Sequence, residues 1–167
     1  MFTRKDLVRL ILPLMIEQIL AVTIGLADTV MVSTIGEAAV SAISLVDSVN
    51  ILLINIFTAL ATGGAVVASQ YLGRGDREAG CNAAKQLCLS ITALSTLIAI
   101  LAFAFHRPLL HAIFGHVEEA VMSRAETYFI LSVISYPFLA VYNAGAALFR
   151  SMNNSKVSMF TSLLMNL

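Results

Sequence analysis

Glu17 and Asp28 are ionisable residues inside an apolar tract of a 167-residue chain. At the centre of a bilayer such a group costs about 2.5–3.5 kcal/mol on insertion scales, so it marks a functional site by default. Their spacing is close to three turns of 3.6 residues, which puts both on one helix face about 16 Å apart. Ala21 and Gly25 lie near the same stripe, so this face resembles a cavity wall more than a lipid-facing surface. Carboxylates so placed can bind a proton, a metal cation or an organic cation. The structural alternative is a carboxylate paired for packing or lying near the interface. Pro13, in the same tract, removes a backbone hydrogen bond and bends a helix unless it sits in the first turn. Further along, the fourth apolar tract holds Tyr136-Pro137, with Tyr136 a candidate cavity or helix-bend residue like Glu17 and Pro13, and then Asn143. Asn143, Asn50 and Asn55 have the alternative role of bonding one helix to another.

Other chemistry has weaker support. His106, His111 and His116 are spaced by five in a predicted loop, whereas helical metal sites use three or four. Cys81 and Cys88 fall two helical turns apart, too far for a disulfide in a straight helix. Gly73-Arg74-Gly75-Asp76-Arg77 has glycines but no preceding strand, so it reads as a tight helix connection and not a phosphate loop. No nucleophile–base pair, zinc motif or heme motif is present, and an enzyme is not expected. The methionines read as apolar filling.

The elements that position these residues follow from composition. The chain is 59% hydrophobic and 12% charged, with no net charge, against about 25% charged in soluble domains. Its mean hydropathy is +0.89. These values exclude a disordered chain and a basic nucleic-acid binder, and point to an integral membrane protein. A helix needs about 20 apolar residues to cross the hydrocarbon. Spans are predicted over 10–33, 48–72, 86–105 and 127–149. A fifth tract, 157–167, is long enough for half a span. A β-barrel is excluded because two-residue alternation is absent. The fold class is therefore an all-α integral membrane protein with four complete transmembrane helices and the first half of a fifth. Eight of the ten basic residues flank the tracts on one side (Arg4, Lys5, Arg9, Arg74, Arg77, Lys85, Arg150 and Lys156). The positive-inside rule puts that side, with the amino terminus, in the cytoplasm. Glu37 and Asp47 are expected in the loop after the first span. A chain that stops in a half span is expected to be an amino-terminal fragment.

Three stretches together are similar to the multidrug and toxic compound extrusion (MATE) family. They are Pro13-Leu-Met-Ile-Glu17-Gln18 through Gly25-Leu-Ala-Asp28-Thr29, then Thr62-Gly63-Gly64-Ala65 through Gln70-Tyr71-Leu-Gly-Arg74-Gly75-Asp76, and Tyr136-Pro137-Phe138 with Asn143-Ala-Gly145 through Arg150-Ser-Met-Asn153. The resemblance covers the whole chain in order. It implies a six-helix amino-terminal lobe of a twelve-helix exporter in the cytoplasmic membrane, moving small cationic drugs or toxic metabolites against a proton or sodium gradient. It places Asp28 at the coupling-cation carboxylate, Pro13 at a helix-bending proline and Asn143 near the surrounding polar network. Asn166 would open an Asn-x-x-x-Asp pattern whose Asp lies beyond the chain. Glu17 has no clear family counterpart. No cofactor is implied beyond the coupling ion, and no metal beyond sodium at Asp28. The implied partners are membrane lipid, the cationic substrate and the missing carboxyl-terminal part. The competing readings are a lipid-linked saccharide flippase of the same superfamily, which would need basic residues in its cavity, and a small non-transporting membrane subunit.

Overall fold

The computed structural model describes residues 4–165 apart from His116 and Asn153. Asn166, a candidate ion ligand, therefore lies outside the described residues. Six helices follow in order: α1 (Arg4–Ser33), α2 (Glu37–Gly73), α3 (Arg77–Ala104), α4 (His106–Phe114), α5 (Glu119–Ser151) and α6 (Ser155–Met165). Four of the described helices are long and apolar enough to cross a membrane.

The helices run beyond the predicted spans, α1 from Arg4 and α5 from Glu119 among them, and three of the differences have a clear local reason. α2 starts at Glu37 and not near 48, so Asp47 is helical. Gly36 reverses the chain with φ 117° and ψ 164°, a region essentially restricted to glycine, so a short connection suffices after α1. Ala39, Ala42 and Val46 then form a buried stripe at helical spacing. α3 starts at Arg77, where Asp76 Oδ1 accepts the Ala79 N–H at 3.0 Å, a standard N-terminal cap. The predicted loop holding His106 and His111 is instead the short helix α4. Leu110 anchors it by burying fully, and Arg107 Nε lies 3.4 Å from Glu126 Oε2 of α5. Among the described residues no cluster of His, Cys, Asp and Glu could hold a metal. Cys81 and Cys88 are free thiols.

α2, α3 and α5 pack together as the centre of the bundle. Alanines at 61, 65, 140, 144 and 147 are buried, and small side chains at these places let helix backbones approach closely. The α2–α5 seam carries the larger groups. The Phe57 and Tyr136 rings meet edge to face, centroids 6.2 Å apart. Tyr136 donates its hydroxyl to Asn50 Oδ1 at 2.8 Å. Asn50 Nδ2 donates to Ser132 Oγ at 3.2 Å and, more weakly, to Asp47 Oδ1 at 3.4 Å. The Tyr128 hydroxyl donates to Asp47 Oδ1 at 3.0 Å. Residues 128, 132 and 136 recur every fourth position, so one face of α5 reads along one face of α2.

α1 is different. It packs on α6 and more sparsely on α2. Of its described side chains only Pro13 is buried. Ile11, Leu12, Met15, Ile19, Val22 and Leu26 are all exposed.

Two outcomes follow. Tyr136→Phe deletes one buried interhelical hydrogen bond and should lower stability by about 0.6–1.7 kcal/mol, read as an earlier unfolding midpoint in detergent titrated with SDS. Gly36→Ala forces a side chain into the glycine-only region and should cost about 1–3 kcal/mol, read in the same titration, although no neighbour crowds the site.

Candidate functional site: an acidic cavity between the first two helices

A cavity of about 630 Å³ opens between the end of α1 and the start of α2, and Tyr128 of α5 forms part of its wall. α1 contributes Gly25, Asp28, Thr29 and Val32, and α2 contributes Val40, Ile43, Ser44 and Asp47. Both sets follow the i, i+3, i+4, i+7 pattern of a single helix face. Thr29 satisfies its own hydroxyl by donating to the Gly25 carbonyl at 2.8 Å.

The two carboxylates are held differently. Asp28 is exposed to the cavity, and no described residue donates a hydrogen bond to it or pairs with it. Asp47 is half-buried, with its Oδ1 fixed by Tyr128 and Asn50. Among the described residues no Lys, Arg or His lines the cavity. Two negative groups without a lining cation, beside low-dielectric walls, concentrate positive charge in the space between the helices. Arg124 lines a neighbouring hollow of about 320 Å³ that shares Tyr128 with this one.

The other candidates fall elsewhere. Tyr136 does not line the cavity: it is 1% exposed, in the α2–α5 core, where its ring packs on Phe57 and its hydroxyl is taken up by Asn50. Asn143 also lies on that seam, its Oδ1 3.5 Å from the donating Thr58 hydroxyl, and it is not among the cavity residues. Pro13 sits in the interior of α1 and not in its first turn. Its missing N–H leaves the carbonyl four residues earlier without its helical donor. Glu17 faces α5 and α6, accepting hydrogen bonds from Tyr142 and Ser158. Glu17 and Asp28 share a face of α1, so that face meets helices at one end and the cavity at the other.

Sequence reasoning missed Asp47 as a site residue and Tyr128 with it. The signal was available: Asp47 and Asn50 are three apart, and Tyr128, Ser132 and Tyr136 four apart, which makes two polar stripes at helical spacing.

The comparisons with known proteins agree with this architecture. The uncharacterized transporter YisQ of Bacillus subtilis (strain 168) is 28% identical over 156 residues, covering 93% of this chain and 34% of its own length. A solved MOP superfamily transporter from Pyrococcus furiosus, described as having a binding pocket of reverse polarity, superposes with a TM-score of 0.90 at 22% identity, over 97% of this chain and 35% of its own. A MATE protein in complex with MaD3S gives 0.90 at 24%, over 97% and 36%. A MATE protein in the bent conformation gives 0.86 at 24%, over 98% and 36%. At these identities the structures show a shared fold, and the chain spans about a third of the length of these relatives. The MatE family model matches residues 13–167, from the buried proline of α1 onward, and the chain belongs to this family of multi-pass membrane transporters.

Proposed function

We propose that this chain contributes the cation-binding half-site of an exporter of small organic cations in the cytoplasmic membrane, driven by a proton or sodium gradient, with Asp28 as the coupling-ion carboxylate. The observation that carries this reading is the cavity itself: Asp28 and Asp47 line it and, among the described residues, no basic side chain does. Asp28 has no described partner to displace, so an entering cation meets a carboxylate already facing the space. Once a proton or sodium ion occupies Asp28, one of the two negative charges is neutralised. The attraction for an organic cation in the same space then falls, because Coulomb energy scales with the product of the charges. Loading one ion and releasing the other are thereby opposed, which is the requirement for antiport. Asp47, held by Tyr128 and Asn50, keeps a fixed orientation and supplies the second charge.

Membership of the family supports transport in general. The chain spans about a third of its relatives, so the rest of the pathway is part of the proposal. A lipid-linked saccharide flippase is not favoured, since an anionic pyrophosphate would face two carboxylates.

Two variants of the full-length protein, reconstituted in liposomes, test this. Asp28→Asn should reduce ion-driven efflux of a cationic dye by at least about tenfold, equivalent to about 1.4 kcal/mol, with unchanged membrane insertion. Normal efflux in this variant would sink the assignment. Asp47→Asn keeps an acceptor for Tyr128 and loses one charge. Its dye affinity should fall by about three- to tenfold, or roughly 0.7–1.4 kcal/mol, and equilibrium binding of the dye should become less sensitive to salt.

A further inference from the structure

Glu17 is used neither by the cavity nor by the reading above, and it is the other carboxylate within α1's membrane span. It sits half-buried where α1 meets α5 and α6. Oε1 accepts from the Tyr142 hydroxyl at 3.3 Å and from Ser158 Oγ at 3.2 Å, and Oε2 accepts from Ser158 Oγ at 3.0 Å. Ser158 is fully buried. Beside this cluster lies a separate cavity of about 130 Å³ between α5 and α6, with Tyr142, Gly145, Ser158 and Thr161 in its wall. At about 30 Å³ per water molecule, it is large enough to hold water beside Tyr142 and Ser158, the two hydroxyls that meet the carboxylate.

The identity of the partners matters. On α6 the groups near Glu17 are the hydroxyls of Ser158 and Ser162, with Lys156 exposed. On α5 they are Tyr142 and, two turns on, Arg150, whose Nε donates to the Ala146 carbonyl at 3.2 Å. In α2 the only titratable group past Asp47 is the exposed Tyr71. No described cation pairs with Glu17. An arginine would hold the carboxylate in one state, whereas a hydroxyl donates to a carboxylate and accepts from a carboxylic acid. The cluster therefore has a hydrogen-bonded arrangement for either form. Among the described residues it offers fewer oxygens than a calcium or magnesium ion takes, and its hydroxyl partners suit a proton.

We propose that Glu17, with Ser158 and Tyr142, forms a second proton site in the membrane, at the middle of α1 and three turns from Asp28, and that its protonation releases α1 from α6. A proton taken from water adds to one carboxylate oxygen and gives the neutral acid. That oxygen becomes a donor, and the bonds to Ser158 and Tyr142 lose their charge assistance and with it about half their strength. Within the described residues α1 otherwise packs only sparsely, on α2, with Pro13 its one buried side chain. The helix is continuous from Glu17 to Asp28, so loosening at Glu17 moves the cavity wall at Asp28. The proton site stands on its own geometry, and only its effect on transport rests on the reading of Asp28.

The test is an α1–α6 distance measured by pulsed electron resonance on the full-length protein in liposomes. Spin labels go on cysteines introduced at two exposed positions, Leu12→Cys and Leu164→Cys, with Cys81 and Cys88 replaced by serine and alanine. Acidification should lengthen the wild-type distance by about 2 Å, the scale of helix shifts in switching proteins. Glu17→Gln, which mimics the neutral acid, should be long at every pH. Ser158→Ala, which keeps the carboxylate, should be lengthened already at neutral pH. A wild-type distance insensitive to pH, or an unaltered transition in Glu17→Gln, would overturn the proposal. Lengthening produced by sodium at constant pH would overturn the choice of a proton. Asp28→Asn separates the two readings: it should keep the wild-type distance transition even though dye efflux is lost. Loss of that transition in Asp28→Asn would assign the proton to Asp28 and refute the Glu17 site.

Discussion

In hydrocarbon no water is available to a stranded polar group, so every such group must find its partner within the protein. The Asn50 side chain, 9% exposed, meets this constraint with three contacts to other side chains: Tyr136, Ser132 and Asp47. Only one register of α2 against α5 allows them all. The register then sets what lies above and below. Below, the Phe57 and Tyr136 rings stack edge to face and the alanine rows close up. Above, Tyr128 reaches Asp47 and turns that carboxylate into a fixed part of the cavity wall. The placement of the acidic site is therefore a consequence of one buried amide.

The cavity also depends on what α1 lacks. A helix apolar on nearly every face gains nothing from association in lipid unless small residues or polar groups meet. α1 finds polar partners at its Glu17 end and none at its Asp28 end. The Asp28 end is joined to α2 through the glycine turn at Gly36 and packs on it only sparsely. The result is a helix fixed at one end and open at the other, and the open end is where the unpartnered carboxylate sits.

The amino-acid sequence displayed much of this. Four apolar tracts give four membrane helices, and Asp28 lines the largest of the described cavities. The limits came from reading charge as an end signal. Asp47 and the residues from Glu37 lowered local hydropathy, yet α2 runs through them, because a carboxylate that accepts hydrogen bonds can stay within a helix. The histidine segment looked like a loop because its apolar content is short, but Leu110 alone anchors a helix of nine residues. Tyr136 looked like a cavity residue because a tyrosine beside a proline is conspicuous. Its ring is large enough to be core, and its hydroxyl had an amide to meet. Which residues of α1 face α6 depended on contacts across the whole chain and was not visible locally.

The bond between Glu17 and Ser158 joins residues 141 positions apart. During synthesis α1 leaves the ribosome first, and its partner on α6 follows about 7–28 s later at about 5–20 residues per second. For most of that interval the carboxylate has none of its hydroxyl donors, since Tyr142 follows it by 125 residues and Ser158 by 141. It must wait at the water interface or in the company of the insertion machinery. The first of these six helices to be made is thus seated at Glu17 only when α6 arrives.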